Sequence, residues 1–414
     1  MFSLFLSSLI GVYKAALCGM RNHRGTAAGS AADWTNAFVA GAAAGAVSMA
    51  LDRNKSRRLA VALYALTRAT QYGLWWLLSH WRASRAAKRA ESESESETDV
   101  TNTSNTEKAK VEPDAVDRTL GFFERHGGAL TFIASCVAII YTAVLDQDLL
   151  PGGYFRFLVN YSGVDQDYGK DGGLFLTTIR DLVAGKDGVA GITDPSRILI
   201  PEGVSTREAF AAHPILQPLA KHIKPDIHHN YLVCAIEHPH DTHCFRAHTL
   251  RWLRTMPAMM KLYGTLNLVF MLFGLRRALR NPARTAVRLG LSTMRSTLFY
   301  ATIYLFTFSV PCAMRRALGY DTIWAYFLNG IAGGSSIFIE PASRRVELAM
   351  YTALRAVETV WDLGKRWRWW NPIAHAEVAY FSAAMGVLMA LYQNEPAAIR
   401  EGYRNLMVRS FGKN

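Results

Sequence analysis

Thiols and imidazoles crowd into one short stretch of this 414-residue chain. His222, His228, His229, Cys234, His238, His240, His243, Cys244 and His248 all lie between positions 222 and 248. Thiolate sulfur and imidazole nitrogen are the donors that zinc takes in tetrahedral protein sites. The spacing Cys234-x3-His238-x-His240-x2-His243-Cys244 therefore nominates Cys234, His238, His240, His243 and Cys244 as metal ligands, with zinc the ion they suit. It matches no standard zinc finger. The competing reading is a polar turn rich in hydrogen-bonding histidines, with a Cys234–Cys244 disulfide if the compartment is oxidising. Cys18, Cys136 and Cys312 lie inside apolar segments and read as small hydrophobes. Five cysteines without paired spacing imply no disulfide framework.

No nucleotide-binding loop, nucleophile elbow or paired carboxylates accompany the cluster. No catalytic residue is nominated, and the chain reads as a non-enzyme. A membrane-embedded enzyme using the Cys/His cluster is the alternative.

A second polar set stands out against apolar surroundings. Arg68 with Gln71, and Arg355 with Glu358, each lie within a mostly apolar helix-length segment. Charge inside a membrane span is costly and usually faces a cavity or a partner. The functional reading is a polar interior that contacts lipid headgroups or solute; the other is arginines that snorkel from short helices.

These pairs are related by an internal repeat. Ser56-Arg57-Arg58, Ala62, Tyr64, Arg68 and Ala69 recur at Ser343-Arg344-Arg345, Ala349, Tyr351, Arg355 and Ala356, at an offset of 287 (343 minus 56). Before each copy stands a small-residue face, Gly41/Gly45 in the first and Gly330/Gly334 in the second. Such faces let helix backbones approach closely in lipid. Weaker matches extend the repeat: Cys18 with Met20-Arg21 parallels Cys312 with Met314-Arg315, and 129–145 parallels 377–393. Each copy then holds four apolar segments: 2–19, 34–51, 59–81 and 129–145, then 296–314, 320–339, 346–362 and 375–392.

The elements implied are helices in a membrane. Half of the residues are apolar, and Trp34–Leu51 carries no charge on any face. The net charge of +13 sits mainly at segment ends, as topology determinants and anionic-lipid contacts do. No motif supports nucleic-acid binding. The apolar Met1–Leu17 lacks a basic leader and belongs to the repeat, so it does not read as a cleavable secretory signal. The fold class expected is all-α, a multi-pass helical membrane protein with two four-helix repeats. The expected domains are a first repeat over 1–159, a polar middle over 160–249 and a second repeat over 295–410. Residues 82–118 of the first repeat read as a disordered acidic, Ser-rich loop. Residues 250–294 read as an apolar helix followed by a basic amphipathic helix lying on the membrane from Arg276 to Arg295. The middle should be irregular and water-exposed, with amphipathic pieces near Leu174–Val183 and Arg207–Ala212. Membrane lipids are the expected partners, with a second copy or another membrane protein alongside.

Cys234, His238-Pro239 and Cys244, followed by an apolar segment and then by Gly330-x3-Gly334 and Ser343-Arg344-Arg345, resemble the transmembrane protein 135 family. That family carries a cysteine-rich element with a His-Pro-x-x-Cys-like pattern, and Pro372–Tyr392 resembles its final helix region. In this chain the element lies between the repeats instead of at the N-terminus. The repeats are also similar to the channel subunits of mitochondrial inner-membrane protein translocases. The resemblance spans roughly 1–160 and 228–408. It implies a peroxisomal or mitochondrial membrane protein concerned with transport or lipid homeostasis, or else a translocase-like channel component. It implies no catalytic residue.

Overall fold

The computed structural model describes residues 2–27, 30–97, 115–168, 172–183, 199–273, 279–320, 322–371 and 373–412. Among the described residues the only β-type pairing is an isolated antiparallel bridge, Leu199 to Tyr231, so the protein is all-α. In chain order the helices begin with α1 (Phe2–Arg24), α2 (Ala31–Leu51), α3 (Lys55–Glu97) and α4 (Ala115–Leu145). Short helices follow: α5 (Gly152–Tyr161), α6 (Val164–Tyr168), α7 (Gly172–Val183), α8 (Thr206–Ala212) and α9 (Leu232–Glu237). Then come α10 (Cys244–Phe273), α11 (Pro282–Leu318), α12 (Ile323–Ser335), α13 (Ala342–Arg366), α14 (Ala376–Asn394) and α15 (Glu401–Phe411).

Four helical stretches are long and apolar enough to cross a membrane: Ser3–Arg24, Ala32–Leu51, Ala115–Leu145 and Pro282–Leu318. The other four expected spans, on α3, α12, α13 and α14, fall short of that measure among the described residues. α12 is only 13 residues long. α13 has an apolar face and a charged face, with Arg344, Arg345, Arg355 and Glu358 along it.

The chain folds as two compact units, Met1–Glu112 with Asn371–Asn414, and Pro113–Trp370. These do not coincide with the two stretches that repeat in sequence. In the first unit, α14 packs on α2 and α3, and α1 packs on α2. A Cβ built on Gly41 would lie 2.6 Å from the Met385 carbonyl oxygen, and one on Gly45 would lie 3.0 Å from Ser382 Cα. The Ser382 hydroxyl donates to the Ala42 carbonyl at 2.7 Å. Ala37, Ala40 and Ala44 are fully buried on α2. Small residues thus let the α2 backbone touch α14 directly.

In the second unit the same device joins α12 to α4. A Cβ on Gly330 would lie 2.4 Å from Val137 Cα, and one on Gly334 would lie 2.7 Å from Ile133 Cα. α13 also packs on α4, and α11 packs on α10 and α12. The first unit thus bundles α14 with α1, α2 and α3, and the second bundles α4 with α11, α12 and α13.

The Ser-Arg-Arg motif fastens corners in both units. Arg57 pairs with buried Asp52 at 2.5 Å, and Arg58 pairs with Glu377 of α14 at 2.8 Å. In the second copy Arg345 donates to the Glu340 carbonyl at 2.8 Å, and Arg344 reaches Ser296 at 3.2 Å. The α1–α2 corner is held by Arg21, which pairs with buried Asp33 at 2.6 Å.

Three expectations are revised. Residues 82–97 of the anticipated acidic loop continue α3 as helix, while 98–114 lie outside the described residues. The basic surface helix is not separate: its residues from 282 onward form the start of α11, and Arg276 and Arg277 lie outside the described residues. The middle is not simply water-exposed. Val164, Tyr168, Phe175, Phe210, Leu216 and Leu219 bury a core against Val144 of α4 and Tyr304 and Phe308 of α11. The amphipathic pieces expected there appear as α7 and α8, the latter started by a Ser205/Glu208 capping box.

Candidate metal centre

α9 is a single buried turn-and-a-half that carries Cys234. Pro239 cannot continue a helix, and the chain reverses after His238. The Asp241 amide donates to the His238 carbonyl at 3.3 Å, and Asp241 Oδ1 accepts from the His243 amide at 3.0 Å. Arg246 secures that carboxylate at 2.7 Å. The turn delivers Cys244 to the first position of α10, where the helix N-terminus favours a thiolate.

The fourth donor comes from far along the chain. Cys312 of α11 is buried against Cys234 and Cys244. The Sγ of Cys234, Cys244 and Cys312 and a ring nitrogen of His238 all lie within 4.8 Å of one another. Cys234 Sγ to Cys312 Sγ is 3.9 Å, and His238 Nε2 to Cys244 Sγ is 3.2 Å. Zinc–sulfur bonds of about 2.3 Å in a tetrahedron put sulfurs about 3.8 Å apart. The group is close to that size already. Cys234, Cys244 and Cys312 are all free thiols in this structure.

The surroundings orient and charge the donors. His238 Nδ1 lies 2.7 Å from the Asp241 carbonyl, which fixes that nitrogen as the N–H and leaves Nε2 as the ligand. Burial lowers the His238 pKa, but hydrogen bonds with Cys234 and Cys244 override it and hold the ring up at about 10. Hydrogen bonds from Cys234 and Cys312, then from His238, push the Cys244 thiol far below its ordinary value. Thiolate character in the cluster is thereby concentrated on Cys244.

Behind it, fully buried Arg315 donates to Cys234 Sγ at 3.1 Å and pairs with Glu237 at 3.6 Å. Zinc held by three thiolates and a neutral imidazole would carry one net negative charge; with the Glu237 carboxylate that makes two, of which Arg315 would offset one. His229 and His248 flank the His238 ring, at 4.8 and 5.6 Å between centroids. Burial first, then nearby positive charge, lowers them to about 4 and about 3, so both are neutral. Arg251 ties the outer edge, pairing with Asp167 at 2.5 Å and donating to the Glu237 carbonyl.

Of the five nominated ligands, Cys234, His238 and Cys244 come together, and two do not. His240 is exposed, with its ring 3.3 Å from the Asp167 carbonyl, and His243 is exposed on the turn. Both sit on the water side of the turn, because His238 and Cys244 take its inner side. Cys312 was read as a small hydrophobe, since its immediate neighbours are apolar. The signal available was Arg315, one turn later on the same face of an apolar helix.

The polar pairs on α3 and α13 take equivalent arrangements. Arg68 donates to Gln71 at 2.9 Å and lies over the Tyr64 ring, and Arg355 donates to Glu358 at 2.8 Å. Both arginines are half-buried, on helices that fall short as membrane spans.

Neither protein-family models, nor curated proteins, nor solved structures provide a match to this chain.

Proposed function

We propose that this is a multi-pass membrane protein of the peroxisome or mitochondrion that handles lipid, with a structural zinc folding its polar middle onto a membrane helix. The observation that carries the reading is Cys312. It projects from a helix apolar enough to cross a membrane and completes a four-donor set with Cys234, His238 and Cys244. Four protein donors fill a tetrahedral zinc, which is the pattern of a structural site. A catalytic zinc keeps an open position, so the metalloenzyme alternative has less support.

The two bundles are read as copies of one four-helix unit that have traded their last helices. Supporting this, Gly41 and Gly45 meet α14 as Gly330 and Gly334 meet α4. Lipid handling is favoured by the resemblance of Cys234, His238-Pro239, Cys244 and the second repeat to the transmembrane protein 135 family. A translocase-like channel is the second reading, favoured by the paired Gly-x3-Gly helices. The interior of the second unit is lined mostly by apolar and aromatic side chains, which suits hydrocarbon better than a hydrated polypeptide. A second copy or another membrane protein remains the expected protein partner.

The test combines alkaline carbonate extraction, organelle fractionation and lipid profiling of a null strain. Retention in the membrane pellet, enrichment in one of the two organelles and an altered lipid profile support the reading. Release into the supernatant, or a lipid profile identical to wild type, contradicts it.

A further inference from the structure

The second unit holds an apolar cavity of about 420 Å³. That size lies in the range of roughly 300–1,000 Å³ typical of small-molecule sites. Ile139 of α4, Tyr154 of α5, Leu262 of α10, Tyr300 and Ile303 of α11, and Thr352 of α13 sample its walls. On α11 the wall runs from Phe299 to Pro311. At a rise of about 1.5 Å per residue this is about 18 Å. Half of a bilayer's hydrocarbon core is about 15 Å, the depth filled by one acyl chain. The deep end reaches Glu237 and Pro311, the residues just before His238 and Cys312.

The opposite end is open, and the arginines of α13 near the cavity are each paired with a glutamate, Arg344 with Glu340 at 4.0 Å and Arg355 with Glu358 at 2.8 Å. Leu266 of α10 and Tyr351 of α13 line the cavity yet are 44% and 55% exposed. On α13 the lining residues Leu348, Tyr351 and Thr352 form one stripe, with Arg344 a turn before it and Arg355 a turn after. Arg355 lies 5.9 Å from the centroid of the Tyr154 ring, itself part of the wall. Glu358 takes one of its Nη1 donors, and a guanidinium has five N–H donors in all. Arg344 reaches α10 at Asn267, 3.5 Å away, beside Leu266.

From this geometry we infer that the cavity binds a single-chain anionic amphiphile, a long-chain fatty acid, with its hydrocarbon tail between α4 and α11 and its carboxylate on Arg355, beside the wall residues Tyr154 and Tyr351. The inference rests on the lipid-handling reading and names its ligand class. Arginine forks match carboxylates bidentately, and the apolar wall supplies the remaining affinity by removing methylenes from water.

The test uses the full-length protein in lipid nanodiscs and a photoreactive long-chain fatty acid, with adducts mapped by peptide sequencing. Adducts should fall on cavity-lining residues of α4 and α11 and be displaced by unlabelled fatty acid. Ala143→Phe, which fills the wall, should reduce them more than tenfold while the protein stays monodisperse. Arg355→Leu should weaken fatty-acid binding about fivefold, the scale of a half-exposed ion pair, and leave the matching fatty alcohol unaffected. Should Ala143→Phe misfold, displacement on the wild-type protein decides alone. Adducts confined to residues outside the cavity, or insensitive to competitor, overturn the inference. An altered lipid profile in the null strain with such negative labelling leaves lipid handling standing and removes the cavity. Cavity labelling with an unchanged profile does the reverse.

Discussion

At the residue scale, the decisive groups are those that a buried charge forces into partnership. Arg315 is fully buried between Cys234 and Glu237. Removing one member of such a set leaves an uncompensated charge, typically at a cost of about 3–5 kcal/mol. Arg315→Leu should therefore lower the thermal unfolding midpoint sharply, whereas Arg254→Leu, on an exposed arginine near the same cluster, should shift it little. Asp52 offers a pH test outside the spanning segments. Arg57, donating to its carboxylate, together with the Asn54 amide, holds its pKa down at about 2, from the usual 3.8. A depressed folded pKa stabilises above the unfolded value and loses that contribution as pH falls towards 2. Asp52→Asn should accordingly flatten the decline in unfolding midpoint between about pH 4 and pH 2. An unchanged pH profile in that variant would remove the Arg57 pair from the α2–α3 corner.

At the element scale, the paired glycines make the sharpest statement. The Gly330 position leaves 2.4 Å between a Cβ and the Val137 backbone, so no side chain fits without separating α12 from α4. Overpacking of this kind costs on the order of 1–3 kcal/mol. Gly330→Ala and Gly41→Ala should each lower the unfolding midpoint, while Gly11→Ala, with nothing within 4 Å, should be neutral or slightly stabilising. Equal behaviour of all three would refute close backbone contact. Much of this scale was legible in the sequence. The small-residue faces, α7, α8 and the helical character of both repeats follow from spacing and composition. The packing of α14 with α1, α2 and α3, and of α4 with α11, α12 and α13, did not, because matching sequence shows which segments are alike and not what each one packs against. The length of α3 was also hidden. Alternating Ser and Glu from position 91 to 97 reads as a solvated tract, yet those residues continue a helix already nucleated by the apolar turns before them.

At the scale of the whole molecule, the central relation joins local and distant sequence. Cys234, His238 and Cys244 lie within one turn of chain and were visible as a cluster. Cys312 follows 68 residues after Cys244 and is brought in only by the packing of α10 on α11. Local spacing could therefore nominate His240 and His243 but could not know that a helix would supply the last donor. Metal and cavity should be linked through Pro311 and Glu237, which line the cavity beside the ligands. Treatment with a strong chelator should therefore weaken fatty-acid labelling of the second unit and make Cys234, Cys244 and Cys312 reactive to a thiol reagent. The most direct measurement is zinc content by elemental analysis of protein purified without added metal, for the wild type, Cys312→Ser and Cys18→Ser. The account predicts about one zinc per chain in the wild type and in Cys18→Ser, and loss of zinc in Cys312→Ser. A metal-free wild-type protein, or full zinc retention in Cys312→Ser, would contradict it.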